Sequence, residues 1–284
     1  MDESEADWLK PIFLFVEHLQ DSHNIVRLAH WGATLSLEQS DYVKWLTESS
    51  LIPEDEKPTA QSIADIELRV RVAQKEKEND FPLLHGHTLM GIWGALEACV
   101  EDLCVAYMQA YPAVLDEPGL ARVSVPFAEF RKLSEVEKLR YLVSEVQQRK
   151  KTGLRIGIKV FEDLLESLGL DGEVHPYIRE TLYEAQQVRN ALAHRGGVAD
   201  QRLCEACPNL GLSAGDRIKI SQEKLGKITN AMRGYIVTVM NRIFCLHGLK
   251  PQTSTPGIPS ELAGKFDVHH PAPHRVGGKW KAGE

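Results

Sequence analysis

An arginine, an asparagine and a histidine lie close together in one stretch of this chain, and their side chains could act on a phosphodiester. Arg189 and Asn190 are adjacent, and His194 follows within the segment Gln187–Gly197, which ends in two glycines. An arginine holds a phosphate through a fixed fork of N–H donors, and a histidine moves protons near neutral pH. These are the two kinds of group needed to cleave RNA without a metal ion.

A single helix is predicted to carry these three side chains. It begins near Pro176, and its apolar stripe is formed by Ile178, Leu182, Ala185 and Leu192. Successive residues rotate by about 100° around an α-helix, so Arg189 falls on the edge of this stripe and His194 projects nearly opposite to it. One ideal helix therefore does not aim both side chains at one point. Either the helix distorts at its glycine end, or another helix or another chain completes the site, as in a twofold dimer with its motifs face to face.

Helical periodicity also dominates the rest of the chain. Apolar stripes predict helices over Leu89–Tyr107, Val136–Val146, Phe161–Leu168 and Leu225–Leu246, and a charged helix is predicted from about Ser62 to Lys77. Ser134 and Ser221 are predicted to cap two of these helices. The alternating run Arg217–Ile220 indicates a single strand or extended edge, which is too short to change the class. The sequence predicts an all-α fold.

The chain divides into three parts by composition. Residues 1–60 are expected to form an N-terminal helical extension, with two or three shorter helices over residues 8–50 and a capping box at Ser36–Gln39. Residues 61–249 are expected to form the main helical domain. After Lys250 the composition shifts to proline, glycine, serine and histidine, which predicts a flexible, disordered tail over residues 250–284.

The charge balance restricts where RNA could bind. The formal net charge is −7, so a generally basic surface is absent and any contact with RNA must be local. The densest basic run contains Arg149, Lys150 and Lys151, and Arg195 follows the histidine directly. Near the motif these residues would contact an RNA backbone, whereas elsewhere the basic run would simply be a solvated helix end.

The remaining composition favours a cytoplasmic protein without a cofactor. Five cysteines show no disulfide framework, the N-terminus lacks the features of a signal peptide, and no apolar run is long enough to cross a membrane. Cys204 and Cys207 are predicted to lie in a loop as half of a zinc site. Because no second cysteine pair exists, a reduced pair without metal is preferred over a zinc site completed by histidines.

The motif and its surroundings resemble the HEPN superfamily (higher eukaryotes and prokaryotes nucleotide-binding domain). Its signature is an arginine, four to six residues and a histidine, often with a polar residue after the arginine, and Arg189, Asn190 and His194 match the shortest spacing. The segments Arg195–Asp200 and Gly215–Ile220, and an upstream helix containing Ala95-Leu96-Glu97, are similar to a branch of ribonuclease-like bacterial proteins. The resemblance covers roughly residues 85–247.

This resemblance implies a helical bundle that dimerises around paired motifs, with metal-independent endoribonuclease activity and a role as a toxin or antiviral defence effector. His194 would move protons at the ribose 2′-hydroxyl or the leaving 5′-oxygen, and Arg189 would neutralise charge on the phosphate. Asn190 would orient the phosphate or His194. Glu97 would orient Arg189, although Glu101, one turn further on, is an alternative. The product would be a 2′,3′-cyclic phosphate.

Two other interpretations of the same residues stay open. The chain could be a non-catalytic helical module that binds RNA, a nucleotide or a protein partner through the same surface. It could also be one half of a pair in which a regulatory or antitoxin protein controls the site.

Overall fold

The all-α class predicted from the sequence is confirmed. A computed structural model describes residues 7–149 and 157–252, together with the backbone of residues 274–276 and 279–281. The α-helices are, in chain order, α1 (Lys10–Glu48), α2 (Ala60–Glu78), α3 (Pro82–Ala110), α4 (Pro118–Ala121), α5 (Phe127–Phe130), α6 (Glu135–Arg149), α7 (Lys159–Glu166), α8 (Pro176–Arg195), α9 (Gln201–Ala206) and α10 (Gln222–Leu246). Short 3-10 turns lie at Glu54–Glu56, Pro112–Asp116 and Pro208–Leu210.

Most of the predicted C-terminal tail lies outside the described residues. Within the part that is described, two three-residue strands, β1 (His274–Val276) and β2 (Lys279–Lys281), pair antiparallel. Among the described residues, no helix combines the length and apolar composition needed to cross a lipid bilayer.

Helix α3 forms the centre of the bundle. It packs against α1 and α6, and also against α8 and α10, which pack against each other. The predicted apolar stripe of this helix is almost completely buried at Leu89, Trp93, Leu96, Val100 and Leu103. Burying one large apolar side chain contributes about 1.5–3 kcal/mol, so these contacts fix how α8 lies beside α3.

The helix caps predicted at Ser134 and Ser221 are present in the structure. The Ser134 N–H donates to Glu137 Oε2 at 2.8 Å, while Ser134 Oγ accepts from the Glu137 N–H at 3.4 Å, which is a reciprocal capping box. Ser221 Oγ accepts from the Lys224 N–H at 3.2 Å and caps α10. These polar signals fixed the helix starts because they satisfy backbone donors that have no partner within the helix.

The prediction of two or three short helices over residues 8–50 is wrong, because α1 is one continuous helix of 39 residues. The supposed capping residue Ser36 lies inside it, and its hydroxyl donates to the Gly32 carbonyl at 2.9 Å. A serine in a helix interior can bond to the carbonyl four residues earlier, so the pattern Ser-x-x-Gln does not require a helix start. The first half of α1 also shares the core of α3, through Ile12, Phe15 and Leu19.

The helix predicted over Leu89–Tyr107 begins seven residues earlier in the structure than its apolar stripe indicated. Helix α3 already begins at Pro82, and His85 is fully buried inside it. The His85 Nδ1 lies 2.8 Å from the Ile220 carbonyl oxygen, and its Nε2 lies 3.1 Å from His30 Nε2. Because a carbonyl can only accept, Nδ1 of His85 carries the proton, and His30 donates to the free Nε2.

The His30–His85 pair predicts a loss of stability in mild acid. Burial and the neighbouring His85 lower the pKa of His30, against the opposing effect of Asp80. The unfolded chain therefore takes up a proton first, so stability is complete above about pH 6.5 and decreases as the pH falls through the folded-state pKa. We expect the thermal midpoint of the protein to fall more steeply between pH 7 and pH 5 than that of His30→Gln. The glutamine amide can still donate to His85 but does not titrate, so equal slopes for the two proteins would contradict this assignment.

A charged pair is buried between α7 and α10. Arg242 is 1% exposed, and its Nη1 lies 3.1 and 3.0 Å from the two carboxylate oxygens of Glu162. The same guanidinium donates to the backbone carbonyls of Leu170 and Glu173. Tyr235 donates to Glu162 at 2.8 Å, and burial together with the adjacent carboxylate raises the pKa of Tyr235, so it stays a donor. Through these hydrogen bonds Arg242 connects α10 to the loop that precedes α8.

Candidate functional site

Arg189 is held at the contact between α8 and α3. Its Nη2 lies 3.3 Å from Glu97 Oε2, and its Nη1 donates to Asn190 Oδ1 at 3.2 Å. The Arg189 side chain is 27% exposed, as expected for a residue at the edge of the apolar stripe of α8. A guanidinium has five N–H donors, and the two contacts leave the others available for a phosphate. Arg189 is therefore oriented within the chain and open to solvent on one side.

Glu97 is the carboxylate that contacts Arg189, and Glu101 is not. Trp93, one turn earlier on α3, donates from its indole Nε1 to Glu97 Oε1 at 2.8 Å. The Trp93 side chain is fully buried, so it fixes the position of the carboxylate. Glu101 instead accepts from Gln147 Nε2 of α6 at 2.7 Å.

Trp93 was not identified as a site residue from the sequence, where it counted only as part of the apolar stripe. A usable signal was present, because Trp93 precedes Glu97 by four residues and i, i+4 side chains meet on a helix. The result is a connected row of side chains that runs from the core to the surface of α8: Trp93, Glu97, Arg189 and Asn190.

His194 lies in the last turn of α8 and points to solvent. Its side chain is exposed, and no hydrogen bond or ion pair is found for it within residues 7–149 and 157–252. The helix keeps its α conformation as far as Arg195, and the left-handed backbone begins at Gly196. Distortion therefore does not reach His194. Five residues rotate by about 140° and rise by about 7.5 Å, so α8 presents Arg189 and His194 on different sides.

Gly196 and Gly197 turn the chain away from α8 into a loop that backbone hydrogen bonds hold in place. Gly196 and Gly197 have φ values of +60° and +75°, a region that side chains with a Cβ rarely adopt. The Gly197 carbonyl accepts from the Ile218 N–H at 2.9 Å, and Val198 forms an antiparallel bridge with Arg217. The extended edge predicted over Arg217–Ile220 is thus present as a single bridge. It fixes the loop that follows His194.

No family model, no curated protein and no solved structure matches this chain.

The predicted basic run begins near the Arg189 site. Arg149, the last residue of α6, is exposed, and its Nη1 donates to the Arg122 carbonyl at 2.6 Å. The contact between Gln147 and Glu101 places this end of α6 one turn along α3 from Glu97. Lys150 and Lys151 lie outside the described residues. Arg195, next to His194, is 61% exposed and lies 3.6 Å from the Asp200 carboxylate.

A second group of cations was missed from the sequence because Lys75 lies on α2, far along the chain from Arg217 and Lys219 of the extended edge. They border a groove of about 640 Å³ beside Gly196 and Gly197, which α2, α3 and the extended edge enclose. Its charged and titratable side chains are Lys75, Glu76, His87, Arg217 and Lys219. Cations outnumber the single carboxylate here, so the end of α8 that carries His194 adjoins a locally positive surface in a chain of net charge −7.

Cys204 and Cys207 do not lie in a loop as predicted. Cys204 belongs to the short helix α9, and Cys207, which is buried, is its C-terminal cap. Burial raises the pKa of the Cys207 thiol to about 11, so the thiol is protonated at neutral pH. Within the described residues, no group of three or more histidine, cysteine, aspartate or glutamate side chains is placed to bind a metal ion.

Proposed function

We propose that this protein is a metal-independent endoribonuclease whose site is completed by a second copy of the chain. The observation that carries the proposal is the arrangement of α8. Arg189 is fixed by Glu97 on one side of the helix, while His194 is exposed on another side of the same undistorted helix. A twofold partner that packs against this region brings His194 of one copy towards Arg189 of the other.

The reaction uses the substrate's own nucleophile. The ribose 2′-oxygen attacks the phosphorus and the bond to the 5′-oxygen breaks, which leaves a 2′,3′-cyclic phosphate and a 5′-hydroxyl. His194 takes the proton of the 2′-hydroxyl or supplies one to the leaving oxygen. The free N–H donors of Arg189 neutralise the charge that develops on the phosphate. Asn190 keeps the guanidinium in place through its side-chain oxygen.

The resemblance of Arg189, Asn190 and His194 to the HEPN signature supports this reaction, as does the helical setting of the motif. Local positive charge adds to the support, because Arg149 lies near Glu97 and the groove cations lie beside Gly196. The proposal includes a homodimer, an RNA substrate and a cytoplasmic setting. The role as a toxin or defence effector rests on the resemblance alone.

The proposal is tested by incubating the purified protein with labelled RNA in excess EDTA. We expect cleavage to continue, and the 3′ ends of the products to carry a cyclic phosphate that acid treatment opens. Products with a 3′-hydroxyl and a 5′-phosphate, or activity that disappears with EDTA, would rule out this mechanism.

Glu97 and Glu101 provide a matched pair for testing the support of Arg189. We expect Glu97→Ala to reduce the cleavage rate about tenfold to a hundredfold, because a misplaced catalytic group carries a penalty of this order. Glu101→Ala, one turn further along α3, is expected to leave the rate unchanged because Glu101 contacts Gln147 instead. Single-turnover rates of the two variants distinguish them, and equal rates would show that the Arg189–Glu97 contact does not serve the reaction.

A non-catalytic binding module is the second candidate function, and the observation that favours it is the Arg189–Glu97 ion pair. An arginine already paired with a carboxylate is also a structural contact between two helices. This alternative predicts that the protein binds RNA without cleaving it, with an affinity that His194→Ala does not change. It also accommodates a regulatory protein as the partner that covers α8.

A further inference from the structure

A cavity of about 390 Å³ lies between α1, α3 and α10. Its apolar lining residues are Leu19 and Val26 of α1, Ile92 of α3 and Leu225 of α10, and all four side chains are buried. Most of the other lining residues are polar. Sites for small molecules have this composition and a volume of this order, with apolar walls and a few polar groups that orient the ligand.

The charged and titratable side chains of this cavity are all basic. His23 and Arg27 lie four residues apart and therefore on one side of α1, and Arg233 reaches the cavity from α10. Among the described residues that line the cavity, none is an aspartate or a glutamate. The whole chain has 40 acidic residues against 33 lysines and arginines, and the groove beside Gly196 contains Glu76. The cavity is therefore complementary in charge to an anion.

The two arginines suit a phosphate group in particular. Arg233 is half-buried, and burial lowers the pKa of its guanidinium because the charged form loses hydration. The guanidinium nevertheless stays protonated at neutral pH. A phosphate ester supplies about two negative charges and three acceptor oxygens, which is enough to accept from the N–H forks of both Arg233 and Arg27.

Two threonines add hydrogen-bond acceptors to the cavity. Thr88 of α3 donates its hydroxyl proton to the Leu84 carbonyl at 2.9 Å, and Thr229 of α10 donates to the Leu225 carbonyl at 2.9 Å. Because each proton is used within its own helix, the remaining lone pairs of these two oxygens can only accept. The hydroxyl groups of a sugar can donate to them, whereas the oxygens of a phosphate ester dianion cannot.

This cavity lies on the other side of α3 from the Arg189 site. Thr88 and Glu97 are nine residues apart, which corresponds to about 180° around an α-helix. We propose that the cavity binds a small sugar phosphate, with the phosphate on the arginines and the sugar hydroxyls on the threonines. The site needs neither Arg189 nor His194, so it is independent of the proposed nuclease reaction.

Isothermal titration calorimetry of the full-length chain at constant ionic strength tests the ligand class. We expect one equivalent of ribose 5-phosphate or glucose 6-phosphate to bind per chain, and ribose and glucose not to bind. Inorganic phosphate should bind about tenfold more weakly than the better sugar phosphate, because it lacks the sugar hydroxyls. Absence of saturable binding by both sugar phosphates, equal affinity for inorganic phosphate, or binding of AMP alone overturns the proposal. His194→Ala should leave every affinity unchanged.

Arg27→Gln tests the phosphate contact. We expect it to weaken the binding of the sugar phosphate about tenfold to a hundredfold, because a hydrogen bond between charged groups is lost. Arg27 is exposed, so the thermal midpoint without ligand should not change. Lys44→Gln is the matched control, since it removes the same charge from an exposed position of α1 outside the cavity. Equal weakening by the two variants would reduce the effect to net charge and overturn the site.

Thr229→Val tests the hydroxyl contact. It should weaken the sugar phosphate about threefold to tenfold without affecting inorganic phosphate. Thr238→Val is the control on the same helix, because Thr238 donates in the same way to the Gly234 carbonyl at 2.8 Å but does not line the cavity. Equal effects of the two variants would contradict the assignment.

Gly226→Leu tests whether the ligand occupies the cavity itself. Gly226 lines the cavity, and a Cβ at this position would meet no heavy atom within 4 Å. The leucine side chain should therefore fill the space without a clash and abolish binding of the sugar phosphate. Unchanged affinity in this variant would place the ligand elsewhere and overturn the proposal.

Discussion

Replacing His194 by alanine is expected to lower the rate of RNA cleavage by about 10²–10⁴-fold, the usual contribution of a general acid or base. Arg189→Ala should lower it by about 10²–10³-fold, because it removes the donors that stabilise charge on the phosphate. Single-turnover kinetics on a short RNA measures both effects. His194 is exposed and without a partner in the described part of the chain, so its variant should keep the thermal midpoint of the unmodified protein. Cleavage that persists at the original rate in both variants would refute the site.

Mixing the two inactive variants tests whether the site is shared between chains. In a hybrid of Arg189→Ala and His194→Ala, one of the two composite sites keeps both groups, because its arginine and its histidine come from different copies. We therefore expect activity to return when the variants are unfolded together and refolded, approaching one intact site per hybrid dimer. A site built within one chain would give no recovery. Each variant refolded alone is the control.

Arg242→Leu is expected to destabilise the protein by about 3–5 kcal/mol, because it leaves the Glu162 carboxylate buried without its cation. The substitution also removes the donors that bind the Leu170 and Glu173 carbonyls. A loss of this size corresponds to a decrease of roughly 10 °C in the thermal midpoint. Differential scanning calorimetry or urea titration measures the effect.

A double-mutant cycle separates the contribution of the Arg242–Glu162 ion pair to stability from the contribution of side-chain packing. Glu162→Gln with Arg242→Leu should be less destabilised than the sum of the single variants, since the uncompensated charge is then absent. Lys227→Ala provides the control on the same helix, because Lys227 forms an exposed ion pair with Glu223 and should contribute no measurable stability. A decrease of similar size for Lys227→Ala and Arg242→Leu would show that burial of the pair is not what matters.

The helices with a single apolar face could be predicted from the sequence, and so could their caps. The stripe of α8, its start at Pro176 and its end at the glycine pair all follow from local rules that the structure obeys. The contact between Arg189 and Glu97 was also among the expected alternatives. Its selection over Glu101 depended on Trp93 and Gln147, whose positions are set by packing rather than by periodicity.

Other features could not be predicted because they depend on distant parts of the chain. The buried His85 requires His30 and the Ile220 carbonyl, which come from α1 and from the residues before α10. The length of α1 was underestimated because large apolar side chains are exposed along it as well as buried, so no single apolar face marks its extent. The cations of the groove, Lys75, Arg217 and Lys219, come from two elements that are far apart in the sequence.

The turn that joins α2 to α3 is hydrogen-bonded to the extended edge and to the start of α10. Asn79 accepts from Lys219 at 2.6 Å, and the Asp80 carboxylate accepts from the Gln222 N–H at 2.7 Å, at the first residue of α10. The same extended edge, through Ile218, holds Gly197 just beyond His194. Displacing the end of α2 would therefore break hydrogen bonds that hold the extended edge, and through it the loop after His194, so a movement of α2 is transmitted to the end of α8.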